Sequence, residues 1–201
     1  MWDGYSQGKG RKIFGPTGTL EESKKAMKQA AGIYYPRWKE RFTERGITPY
    51  PAVGDHELGD NYWPAGSTKS RVVPLYRKLF AKYFTRNEDG SSRFDIRPKN
   101  TPQEGTAYAF QHKNVLMVTV DLHHQPDPEE KSHERGSVIP KLGEGQLEWF
   151  RETLRKANND DSIDFIIVQG HYPAITNVRY SGHSSHMTVE DSTESGFWQA
   201  M

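Results

Sequence analysis

The chain has 201 residues, of which 34% are hydrophobic, with a mean hydropathy of −0.87 and a formal net charge of +1. That length can bury a real core in one soluble globular domain, and the low hydropathy predicts long polar loops. The near-zero charge gives no electrostatic case for nucleic acid or an acidic membrane as partner. The absence of cysteine excludes disulfides, thiolate zinc sites and cysteine nucleophiles. No apolar run reaches membrane-spanning length, and the N-terminus lacks a signal-peptide apolar region, which leaves the compartment open.

From Thr19 the pattern turns helical, with Thr19 and Glu22 spaced as a capping box and Gly46 as the stop. Gly32 and Pro36 predict a break into two helices, the first a polar surface helix over 20–31. Tyr34, Tyr35, Trp38 and Phe42 read as packing groups, since Glu40 and Glu44 dilute any nucleic-acid reading of the neighbouring basic residues.

The next stretch, 47–61, concentrates chemistry. Pro49 and Pro51 pre-set an extended backbone, Gly54 frees a turn, and Asp55, His56 and Glu57 follow directly. A carboxylate and an imidazole at a strand end can hold a divalent metal or move a proton. An ordinary polar surface turn would carry the same residues.

Leu75, Leu79, Tyr83 and Phe84 then recur at helical spacing behind Pro74, a suitable first-turn residue. A polar loop over 85–104 reads as an insertion over one rim. Residues 107–111 and 115–121 predict a hairpin turning at His112, Lys113 and Asn114. Its second strand ends in Asp121-Leu122-His123-His124. On a strand, adjacent side chains face opposite ways, so both histidines reach one ion only if the chain has already turned.

After a charged loop over 126–141, Leu147, Phe150 and Leu154 mark an amphipathic helix that ends at Asn158-Asn159-Asp160-Asp161. The apolar run 163–168 predicts a buried parallel strand leading into Gly170-His171-Tyr172-Pro173. Ligands of open α/β sheets bind beyond such strand ends. The polar stretch that follows, with His183 and His186, gives way to a terminal helix at 197–201. No internal repeat is present.

Gly54-Asp55-His56-Glu57, the Gln146-Leu147-Glu148-Trp149 helix and the strand before Gly170-His171-Tyr172-Pro173, in that order, resemble the calcineurin-like metallophosphoesterases. Within them the pattern is most similar to the purple-acid-phosphatase-like branch. The resemblance implies an α/β fold, a β-sandwich flanked by helices (α/β/β/α), as one partial domain over 1–201. It implies phosphomonoester or phosphodiester hydrolysis by two divalent or trivalent ions (Fe, Zn or Mn) at the strand ends. Asp55, where the family carries asparagine, and His171 would be metal ligands. His56 would act on the phosphoryl group or protonate the leaving oxygen, Glu57 would orient His56, and Asp121 would support the site from outside the metal shell.

Trp2-Asp3-Gly4 reads as the tail of the family's G-D-x-x-D-G motif. His183 and His186, spaced G-H-x-x-H with no preceding strand, do not fill its G-H-x-H motif and read as rim-loop residues. The expectation is a chain cut at both ends. Asp55 in the asparagine position and the missing flanking ligands also allow a non-catalytic binding or scaffold domain of the same fold. A serine hydrolase using His56 as base is disfavoured, because no G-x-S-x-G elbow occurs.

Overall fold

A computed structural model of the chain describes residues 13–54, 69–127, 129, 138–175 and 189–201. Asp55, His56, Glu57, His183, His186 and the Trp2-Asp3-Gly4 segment lie outside the described residues.

The first element, α1 (Leu20–Thr43), opens with the expected capping box: Glu22 N–H donates to the Thr19 hydroxyl at 3.2 Å, and Thr19 N–H donates to the Glu22 carboxylate at 2.9 Å. The break expected at Gly32 and Pro36 does not occur; the helix runs through both. Proline removes one helical hydrogen bond, but packing on either side of it holds the second half in line. Tyr35 meets Phe80, Tyr83 and Phe84 edge-on, and Trp38 meets Phe84 at 5.5 Å between ring centres. Nor is the first half a surface helix, because Ala26, Met27 and Ala30 are buried against Val72, Val73, Tyr76 and Phe80. Small alanines let two backbones approach, so a polar-looking sequence still has a buried stripe.

Those partners come from a 3₁₀ turn (Lys69–Val72) and α2 (Val73–Phe80), which carries Pro74 in its first turn and continues as a π-helical turn, Ala81–Thr85. The following loop is tied down more firmly than a rim insertion would be. Phe94 stacks on Tyr108 at 4.1 Å with 12° between the planes, and Ala109 N–H donates to the Ile96 carbonyl at 2.8 Å.

The hairpin forms as expected, from β1 (Tyr108–His112) and β2 (Val115–Thr119), with Lys113 at a φ of 54° in its turn. A two-residue strand β3 (His123–His124) pairs antiparallel with β4 (Ile139–Pro140). Then come α3 (Glu144–Asn158), β5 (Phe165–Gln169) and α4 (Gly196–Ala200). The main sheet has the order β1-β2-β5, with β2 and β5 parallel and joined through α3.

Register explains the packing. Leu116 pairs with Ile166 and Val118 with Val168, so these four share one face and bury against Phe150 of α3 and Phe197 of α4. The opposite face carries Tyr108 and Phe110, which stack with Phe94, and Tyr50 covers Phe110 at 4.4 Å. On that face β5 departs from the expected buried strand. Phe165 is 62% and Ile167 49% exposed, because α3 and α4 cover only one side and β5 lies at the sheet edge. The described residues thus form a mixed α/β fold, and a second sheet facing the first across a sandwich is not among them. No helix among them is long and apolar enough to cross a membrane.

Phe150→Ala empties a fully buried position and should lower the unfolding free energy by about 3–5 kcal/mol. Phe165→Ala should change it by only about 0.5 kcal/mol. Chemical denaturation of both variants checks this, and equal losses would place the outer face of β5 inside the core.

Candidate functional site

Hydrogen bonding between the parallel strands continues one residue past β2, where Val120 N–H donates to the Gln169 carbonyl at 3.0 Å. Asp121 and His171 therefore leave the carboxyl ends of neighbouring parallel strands, where α/β sheets place their ligands. Gly170 makes this crossing possible. A Cβ there would meet Leu122 Cδ1 at 2.8 Å and Val120 Cγ2 at 3.0 Å, so any side chain would push the end of β5 away from β2.

Asp121 is buried, and both of its carboxylate oxygens are engaged. Oδ2 accepts from Arg77 Nε at 3.0 Å and from the Thr106 hydroxyl at 2.6 Å. Oδ1 accepts from His123 N–H at 3.0 Å and lies 3.0 Å from His123 Nδ1. Gln146 clamps the backbone of the same residue: Asp121 N–H donates to Oε1 at 2.9 Å and Nε2 donates to the Asp121 carbonyl at 2.8 Å. Arg77 also donates to the His123 carbonyl. Burial alone would raise the Asp121 pKa, but the Arg77 charge with the His123 and Thr106 bonds holds it well below the usual carboxylate range.

The Asp121 contact also sets the chemistry of His123. In the neutral ring, an Nδ1–H that donates to the carboxylate leaves the lone pair on Nε2. His123 is 0% exposed, and its Nε2 has no hydrogen-bond partner among the described residues. Its ring stacks with that of His171 at 5.8 Å between centres and 24° between planes, and Tyr172 packs 4.9 Å away. His124, the adjacent residue, lies half-buried against Gly143, as alternation along a strand requires. Partial burial, with the nearby charges of Lys141 and Arg77, lowers its pKa.

Of the sequence-derived site residues, His171 is therefore brought together with Asp121 and His123. The 55–57 motif lies outside the described residues, but its approach is fixed. Gln169 Nε2 donates to the Tyr50 carbonyl at 2.9 Å, and the Tyr108 hydroxyl to the Pro51 carbonyl at 3.0 Å. Tyr108, Thr119 and Gln169 share one row of the sheet, so the segment before Gly54 is held close to the strand ends.

Two imidazoles suit a borderline ion such as zinc or iron better than calcium or magnesium, and the buried His123 Nε2, without a partner among the described residues, fits such an ion. In number they fall short: among the described residues, no group of three or more His, Cys, Asp or Glu could hold a metal. Arg77, Thr106 and Gln146 were not anticipated from the sequence. Arg77 did carry a signal, standing four residues after Val73 and three before Phe80 on the apolar face of α2.

Replacing Arg77 with methionine leaves Asp121 buried without its cation and should cost about 3–5 kcal/mol. Because the folded Asp121 pKa is depressed, its stabilising contribution is complete above about pH 5 and is lost as pH falls through the folded value. Denaturation midpoints of wild type and Asp121→Asn, measured from about pH 7 downwards, should show a shallower acid-side loss in the variant. Parallel profiles would contradict the ionised carboxylate.

Comparison with protein-family models, curated proteins and solved structures finds no match to this chain.

Proposed function

We propose that the chain is a metal-dependent phosphoesterase domain of the calcineurin-like, purple-acid-phosphatase-like type, built on an α/β/β/α sandwich and acting on phosphomonoesters or phosphodiesters. The observation that carries this reading is His171 at the end of parallel strand β5, stacked on a buried His123 that Asp121 orients. Two metal ions (Fe, Zn or Mn), when bound, would supply a hydroxide nucleophile and neutralise charge on the phosphoryl oxygens.

Residue by residue, His171 would serve as a ligand through its imidazole, and Asp55 as a second ligand through its carboxylate. His56 would give its proton to the departing alkoxide oxygen, and Glu57 would orient His56. The second reading, a non-catalytic domain of the same type, draws on aspartate standing where the family has asparagine. Metal stoichiometry separates the two, since a scaffold should hold no stoichiometric metal pair.

The purified full-length protein, supplied with zinc, iron or manganese, should hydrolyse an aryl phosphate or a bis-aryl phosphate, and a chelator should abolish turnover. No hydrolysis with any of the three metals would contradict the proposal. His171→Ala should lower both metal content and rate. His56→Ala should keep its metal while its rate falls about 10²–10⁴-fold, and less for an acidic leaving group that needs little protonation. Loss of metal from the His56 variant would reverse the assigned roles.

A further inference from the structure

We propose that His123 is itself a metal donor, binding through Nε2 the same ion as His171. This rests on the metal-dependent reading above and adds a residue that the family pattern does not assign. Three independent observations converge on it. First, the ring is wholly buried and its Nε2 has no hydrogen-bond partner among the described residues, a costly state for an imidazole nitrogen that a bound ion relieves. Second, its Nδ1 is committed to the Asp121 carboxylate at 3.0 Å, the arrangement that turns the other nitrogen into a fixed, basic ligand.

Third, the spacing suits a shared ion. Metal–nitrogen bonds of about 2.0–2.1 Å and near-tetrahedral angles put two imidazoles on one ion with ring centres roughly 5–6 Å apart. The rings of His123 and His171 lie 5.8 Å apart with 24° between their planes. Neighbouring elements fix the pair. β3 pairs with β4 and holds His123 in line, Arg77 grips its carbonyl, and Gly170 lets the β5 end close over Leu122. A plain core histidine would need none of this and would normally satisfy both nitrogens.

Zinc alone is a sufficient probe. Long-range proton–nitrogen NMR of the histidine-labelled, full-length wild-type protein should show Nε2 of His123 and of His171 moving to the metal-bound position on zinc addition. His112, at the hairpin turn, should stay where it is. His123→Gln should weaken zinc binding by about tenfold or more while circular dichroism stays native-like. The wild-type spectra keep the question decidable if that variant misfolds. If the His123 nitrogen does not move, the assignment is wrong, whether or not phosphoesters are hydrolysed. If it moves and no phosphoester is hydrolysed, the assignment stands and the phosphoesterase reading falls.

Discussion

A buried carboxylate must either be protonated or find enough donors to remain ionised, and Asp121 is resolved the second way. Its donors come from four places in the chain: Arg77 of α2, Thr106 ahead of β1, His123 of β3, and its own backbone held by Gln146 of α3. Each of these elements is therefore fixed relative to the end of β2. A buried ion pair is weak evidence of net stability, because desolvation offsets much of the attraction. Its effect here is on geometry, since each of these bonds fixes the position of its element against Asp121.

Two hydrophobic clusters build outward from that point. One joins α1 and α2 through Met27, Tyr76 and Phe80; the other joins the sheet to α3 and α4 through Val118, Phe150 and Phe197. Buried polar side chains occur elsewhere too, but Arg77, Thr106, Asp121, His123 and Gln146 gather at the strand ends. A site held this way is preorganised: the imidazole of His123 cannot turn without breaking its bond to Asp121, and Asp121 cannot move without freeing Arg77.

Much of this was legible in the residues. The capping box at Thr19, the hairpin around Lys113, the amphipathic helix carrying Phe150, and the strand running into Gly170-His171 all follow from short-range rules, and each forms. What short-range rules missed depended on distant partners. Pro36 signals a break, but aromatic contacts to α2 keep α1 continuous. The run 163–168 signals burial, but only tertiary placement shows that one face of β5 stays open. Gln146 stood in the sequence as part of a helix motif, and its grip on Asp121, 25 positions earlier, has no local signature. His123 was read through strand alternation alone, which says which way it faces and nothing of the carboxylate that waits there.

The most direct measurement is an anomalous-difference map from a crystal of the full-length protein grown with zinc, recorded at the zinc absorption edge. The account predicts a peak beyond the ends of β2 and β5, about 2.0–2.1 Å from Nε2 of His171. A map with no peak at those strand ends, from a crystal whose fluorescence shows bound zinc, would contradict it.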